Sequence, residues 1–531
     1  MLINKSKLLL VLLAINVCTI NANHNDYPKK WLQLLYYETN NSGYKSLVET
    51  DTFFITKSGR ENPHKEYQAS LKKTLEQDLT FKTKFPLRYK WLAKHNKIDY
   101  KPTAKKQPVL DKVLVAYPNK HMSNPASMFG HLFLVLKTKR GRLNSNILHY
   151  IAKTENDNSF MYIIKGLTGG YKGRFLKEPY YKKIKYYNYL EDRNIAYYNL
   201  QLTSDQKENL QFHAIELKKA DLRYYFINKN CAYYIGKLLD IISIEDNIKN
   251  RIIIMPSDII NDLIHKKKIL NQSTRIANTK IFNHLYSQLN RSEKNKTIQL
   301  FNKSIPTKNI NPKILKTFLL GSEYMINNET QKAQLIRQNR ISAYQQLNIK
   351  NKANIRVKET KQKYAKKINS HSVKVEKTLT TTQITYNPIF FSDHDNFQNI
   401  EIINVKEFGM NITTFSNNTP LYAINLLKLD NIRQYNKLLK PLSWTISSTL
   451  AYQQSWLINQ EIYLGPAWNI KNKSLIYSLI GLNLSNFNNI TNKQEENLKL
   501  WPNSLLGFNY HFTKTLKSTI KYQYKFKKHY F

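Results

Sequence analysis

The chain reads as an α+β protein in three parts: a mixed N-terminal half, a helical middle and an antiparallel all-β C-terminal part. Three observations predict this. Apolar residues recur at helical spacing from Asp26 to about Lys105 and again over 256–350. Between these stretches, from Lys112, the period shortens to two over a handful of short apolar runs. From about His371 to the end, alternating runs return roughly every 10 to 15 residues. A length of 531 residues allows two or three domains with proper cores. The expected division is 1–22, 23–105, 106–270, 271–370 and 371–531.

The first of these segments reads as a secretory leader. Lys5 and Lys7 form a basic start, Leu8 to Ile15 an apolar run too short to span a bilayer, and Ile20-Asn21-Ala22 a cleavage site. Cys18 falls inside this leader, with Val17 before it, and is expected to be lost with it. Cys231 is then the mature chain's one thiol, in an oxidising compartment where an idle thiol is a liability. The formal charge of +45 falls by two without the leader lysines. The lysines are spread evenly along a chain rich in Asn, Ile and Tyr and poor in Gly, which argues for compositional drift rather than a nucleic-acid surface. Export also removes nucleic acid from reach, whereas a basic surface suits anionic lipid headgroups. No later stretch approaches 18 consecutive apolar residues, so no membrane helix is expected.

In 23–105, Trp31, Leu34, Leu35, Leu71 and Leu75 fall at helical spacing, and 85–92 reads as a packed segment leading into the next domain. Strands are predicted at 113–117, 131–136, 147–152, 160–164 and 195–200. A glycine-bearing loop, 166–173, is expected between the last two, with Gly169, Gly170 and Tyr171 bordering a ligand. Thr203 or Ser204 caps a helix to about Ala220, and Asn230 begins another, Cys231 to about Ile242. Residues 256–350 read as further helices, including a long arm over 310–346 with Asn327-Asn328 as a break, and 351–368 as a polar, lysine-rich linker.

The last part offers eight alternating runs: 373–386, 400–408, 421–427, 444–452, 461–468, 475–484, 505–512 and 516–526. In the final one Ile520, Tyr522, Tyr524 and Phe526 alternate with Lys521, Gln523, Lys525 and Lys527. One apolar, aromatic face and one cationic face suit a small outer-membrane β-barrel; a soluble antiparallel sandwich shows the same alternation.

The chemistry centres on Cys231. At the first turn of a helix, unpaired N–H groups and the helix dipole favour a thiolate, and the same groups can hold an oxyanion on a carbonyl that the sulfur attacks. His131, at the mouth of a strand after a glycine turn, fits as base, and His149 on the next strand as the group that orients it. Asn230, Ser127 and Asn124 are the candidates for shaping the pocket. Each residue also has a structural reading: Cys231 as a buried small side chain, His131 and His149 as ordinary strand residues. One cysteine and scattered histidines make no metal pattern, and no cofactor is expected.

Asn124 to His131 with Leu132-Phe133-Leu134, then 166–173, Pro179-Tyr180-Tyr181, Glu191-Asp192-Arg193 and Asn230-Cys231 occur in an order that resembles the periplasmic N-terminal domain of bacterial lipoprotein N-acyltransferases. The likeness covers about residues 25–270. More distantly, histidine before cysteine resembles permuted papain-like acyltransferases. The resemblance implies a permuted papain-like domain, Cys231 as nucleophile and His131 as base. It also implies transfer of a lipid acyl chain, from a phospholipid or a lipoprotein, to a lipoprotein's terminal amine through a Cys231 thioester. Two departures limit it: those enzymes carry membrane-spanning helices where this chain has strands, and no motif fixes the third catalytic position. The function expected is an exported, membrane-associated cysteine acyltransferase; a cell-wall cysteine peptidase or amidase, and a non-catalytic envelope protein, are the alternatives. Oligomeric state is not legible.

Overall fold

The computed structural model describes residues 28–525 except 42, 102–107, 119–129, 140, 155–156, 243–250, 329, 351–358, 363–371, 378–380, 388, 393–401, 416–420, 436–437, 439, 453–455, 471–473, 489–492 and 512–516. The expected leader with Cys18, and the candidates Asn124 and Ser127, lie outside the described residues.

The N-terminal segment is helical as expected, with one short hairpin inserted. It comprises α1 (Lys29–Leu34), β1 (Tyr37–Asn40), β2 (Gly43–Ser46), α2 (Pro63–Leu75), α3 (Leu79–Lys84) and α4 (Pro86–His95). Asn62 and Asp78 cap α2 and α3 through their side chains, and proline at the first position of α2 and α4 fits the fixed φ of a helix start.

An eight-stranded antiparallel sheet follows, in the order β10-β9-β7-β3-β4-β5-β6-β8. Its strands are β3 (Leu110–Pro118), β4 (Phe133–Thr138), β5 (Gly141–Ala152), β6 (Tyr171–Pro179), β7 (Ile195–Leu200), β8 (Asp221–Tyr224), β9 (Ile269–Arg275) and β10 (Glu359–Gln362). The run 160–164 is not a strand; it lies in helix α5 (Ser159–Thr168). Asn158 caps α5 on the amide of Met161, and Gly169 ends it with φ 77°, in the left-handed region that favours glycine. The expected glycine loop is therefore the end of α5 and the start of β6. Part of the expected linker is likewise β10, paired with β9 at the sheet edge.

The sheet is covered on both faces. On one side, Leu132, Leu134, Leu136, Leu148 and Tyr150 share a core with the N-terminal helices and with α7 (Ser204–Glu216), α8 (Cys231–Ile241) and α9 (Pro256–His265). On the other, Phe133, Val135 and Ile147 pack against α6 (Tyr180–Ile184) and the π-helical turn Lys185–Leu190 that extends it. Alternation along β4 and β5 sends successive side chains to opposite faces, so both faces are apolar.

The helical middle is a unit of its own: α10 (Asn278–Ser287), α11 (Arg291–Asn302), α12 (Pro312–Asn328) and α13 (Ala333–Lys350). Its core contains Phe282, Phe301, Phe318 and Ile336. The expected long arm breaks at Asn328, and its two halves are joined by the Arg340–Glu323 ion pair. Leu438, from the turn between two C-terminal strands, is buried in the same core.

The C-terminal part is an antiparallel sheet built from β11 (Ser372–Lys377), β12 (Thr381–Asn387), β13 (Ile389–Ser392), β14 (Ile402–Phe415), β15 (Leu421–Ile432), β16 (Ser443–Tyr452), β17 (Trp456–Gly465), β18 (Ala467–Ile470), β19 (Ser474–Asn488), β20 (Lys493–His511) and β21 (Lys517–Lys525). The expected closed barrel is not present among the described residues. The sheet is open between β11 and β21. Along the path β11-β12-β14-β15-β16-β17-β19-β20-β21 every neighbour is antiparallel, so the first and last strands point the same way and cannot add an antiparallel ladder. No described helix is long and apolar enough to cross a membrane.

Candidate functional site

Helix α8 begins where it does because Asn230 caps it. Asn230 Oδ1 accepts from the amides of Ala232 at 2.9 Å and Tyr233 at 3.3 Å. Its Nδ2 donates to the carbonyls of Phe226 at 3.0 Å and Ile254 at 2.7 Å. Asn230 thus acts by fixing the helix start rather than by meeting a ligand. Along the helix, Tyr234 packs on Tyr150 of β5 with ring centroids 4.2 Å apart, and Tyr233 donates to Glu38 Oε1 at 2.5 Å.

Cys231 is therefore held at the first helical position, with its side chain 3 % exposed. Four donors favour its thiolate: the amide of Leu132, the hydroxyl of Tyr224, and the amides of Ala232 and of Cys231 itself. Burial pushes the thiol above its ordinary value, and these donors pull only partly the other way. Tyr224, on the edge strand β8, also accepts from the Cys231 amide. It is the contact residue that sequence reasoning missed.

His131, two residues before β4, faces the side of the sheet that carries Phe133. Its neighbour Leu132 turns towards α8, whereas the His131 ring lies against Phe133 and Tyr187, with centroids at 6.0 and 6.1 Å. Tyr187 also feels the charge of Cys231, which links the ring beside His131 electrostatically to the sulfur. His149 meets His131 edge-on at 6.0 Å. His149 Nε2 lies 2.9 Å from Glu178 Oε2, which Lys183 also faces at 3.3 Å. Burial holds both imidazoles below their ordinary range; the positive groups near His131 (His149, Lys183 and Arg193) add to the effect there. The Nε2 of His131 is shut off from solvent. At rest the Cys231 thiol and both imidazoles are thus neutral.

Arg193 closes the same corner. Its Nη1 donates to Glu191 Oε2 at 2.8 Å, its Nη2 to the Pro118 carbonyl at 3.0 Å, and its guanidinium lies 4.9 Å from the Tyr187 ring centroid. The glycines serve packing. A Cβ on Gly169 would meet the Tyr225 ring at 2.2 Å, and one on Gly173 would meet Tyr150 Oη at 2.2 Å. Gly170 sits against Lys165, and Tyr171 is buried, donating to Asp157 Oδ2 at 2.7 Å. These residues help to hold α5 and β6 against the strand carrying Tyr224.

The described side chains thus include a buried sulfur with donors from separate elements, and a pair of buried histidines of which His149 meets the Glu178 carboxylate. Residues 26–95 match the model of a domain of unknown function (DUF7843). No curated protein and no solved structure matches the chain. Residues 100–266, which hold β3 to β8 and the whole Cys231 site, match the model of the Lnb N-terminal periplasmic domain, and this segment belongs to that periplasmic family.

Proposed function

We propose that the chain is an exported, thiol-dependent acyltransferase that takes its acyl group from a lipid ester and works at the outer membrane. The observation that carries the reading is Cys231 at the first position of α8, with the Leu132 amide and the Tyr224 hydroxyl directed at its sulfur. His131 takes the thiol proton as the sulfur attacks the ester carbonyl carbon. The oxyanion rests on the Leu132 amide and the Tyr224 hydroxyl, because the Ala232 amide is already engaged by Asn230. As the intermediate collapses, the carbon–oxygen bond breaks and the alcohol leaves with the proton from His131. An amine, for which the α-amine of a lipoprotein is the candidate, then attacks the thioester, forms the amide and returns the proton to sulfur. His149, backed by Glu178, orients the His131 ring. The histidine-before-cysteine order fits a permuted papain-like arrangement, and the strand-rich C-terminal part is the proposed membrane attachment.

Replacing Cys231 by Ala at matched protein level tests this. Lipoprotein N-termini read by mass spectrometry are expected to lose the amide-linked acyl chain, with muropeptides unchanged. Unchanged lipoproteins with altered muropeptides would instead assign the thiol to cell-wall peptide or amide cleavage.

A further inference from the structure

The two faces of the C-terminal sheet are inverted relative to a soluble sandwich. On one face, polar side chains are sealed: Asn483, Asn503 and Asn509 are 0 % exposed. On the other, large apolar side chains stand in the open, with Ile480 at 72 %, Trp456 at 64 % and Ile520 at 62 %. Burial alternates in the middle of β19, where Ile480, Leu482 and Leu484 are exposed and Leu479, Asn483 and Ser485 are buried.

The polar face is concave. Gln523 Nε2 of β21 reaches Glu461 Oε1 of β17 at 3.1 Å, although β19 and β20 lie between them in the sheet. Lys521 Nζ comes within 3.8 Å of Asp430 Oδ2 on β15, five strands away. At roughly 4.8 Å per strand, a flat sheet would hold that last pair more than about 20 Å apart. The sheet therefore curls round a face that combines these buried polar side chains with the apolar cluster of Ile432, Tyr463, Leu475, Tyr477 and Leu479, and turns its exposed apolar side outward.

We infer that this convex face is embedded in the hydrocarbon of a lipid bilayer, with the polar face as an internal lining. This rests on the membrane attachment proposed above and names the surface that makes it. Strands β16 and β17 have 10 residues each, the length of a tilted membrane-spanning strand at about 9–11 residues. Tyr422, Tyr452 and Trp456 form one lateral row, since Tyr422 pairs with Tyr452 and Tyr452 with Trp456. Such a row marks a lipid–water interface. At the opposite end of β15 and β16, Leu438 is anchored in the helical unit, which holds the catalytic part on one side of the bilayer. Hydrocarbon tolerates no free strand edge, so insertion requires the β11 and β21 edges, which run the same way, to be sealed against each other by a parallel ladder.

The test uses the full chain expressed in a bacterium with an outer membrane, read as the fraction that resists alkaline carbonate extraction. Wild type is expected in that fraction. The double variant Ile480→Lys, Leu482→Lys is expected to reduce it about ten-fold or more. Gln523→Lys, which adds one lysine charge on the concave face beside Glu461, is expected to keep it. Release of wild type by carbonate overturns the membrane attachment itself. A resistant wild type whose convex lysine variant is equally resistant overturns the lipid-facing assignment alone. Equal loss in the convex and concave variants also overturns it, because the effect would then not depend on the face.

Discussion

At Cys231 two effects oppose each other, and their sizes decide the outcome. The start of a helix favours a thiolate by about 0.3–1 kcal/mol. Burial of a charged group shifts its titration by up to several units, each worth about 1.4 kcal/mol. At 3 % exposure burial wins, and the thiol is raised despite the donors on its sulfur. The expectation of a thiolate poised by the helix alone is therefore revised: the proton must leave through His131 as substrate arrives. Alkylation by iodoacetamide is expected to be slow near neutral pH and to rise only above the ordinary thiol value of 9.0. Tyr224→Phe removes a donor to the thiolate and is expected to move that rise upward by about one pH unit. A rise at lower pH in the variant would show that Tyr224 does not stabilise the charged sulfur. The sign follows for stability as well. An acid whose folded value is raised stabilises the fold below the unfolded thiol value, and that contribution is lost as pH climbs from about 9 through the folded value.

Among the elements, α4 carries the join between the N-terminal segment and the sheet. The Arg88 guanidinium is fully buried between the Phe53 and Phe85 rings, at 4.0 and 4.1 Å from their centroids. It donates to the Phe53 carbonyl at 2.8 Å and lies 3.7 Å from Glu66 and 3.8 Å from Glu216, both buried. Arg88→Ala would leave two buried carboxylates without their cation and is expected to cost about 3–5 kcal/mol of stability. Denaturant unfolding measures this, and a change below about 1 kcal/mol would show that the network contributes little. Elements with local caps were legible in the sequence. Asn230 marks the start of α8, and Thr203 with Gln206 forms the capping box of α7. The helix at 159–168 has its own punctuation, Asn158 and Gly169, but its short apolar run has the length of a buried strand, which periodicity alone does not distinguish from a helix. Strand β9, Ile269–Arg275, has no alternating apolar pattern; it is a strand because β7 and β10 pair with it on either side. Tyr224 was invisible for the same reason, since its place at the sulfur depends on β8 docking against β6. Glu178 reaches His149 only through the β5–β6 register.

For the whole molecule, the sheet carrying Cys231, the helical unit and the inverted C-terminal sheet form a continuous path. The Lys185–Glu323 ion pair links the π-helical turn behind His131 to α12, and Leu438 links the helical unit to the last sheet. Under the proposed membrane attachment this path gives the long helical middle a role, for which the sequence offered no account: it is the spacer between the thiol site and the lipid-facing surface. The C-terminal alternation was legible residue by residue, but its sense was not. Apolar-in and apolar-out sheets share one period, and only cross-sheet contacts such as Lys521 with Asp430 tell them apart. The central claim is that Cys231 carries an acyl group. Incubating the purified full chain with phospholipid vesicles, quenching in acid and examining the Cys231 peptide by mass spectrometry tests it most directly. A fatty-acyl mass on that peptide, removed by hydroxylamine and absent from Cys231→Ser after the same hydroxylamine treatment, is the predicted result. A Cys231 peptide that stays unmodified with both phospholipid and diacylated lipoprotein as donors, while the protein remains folded, would contradict it.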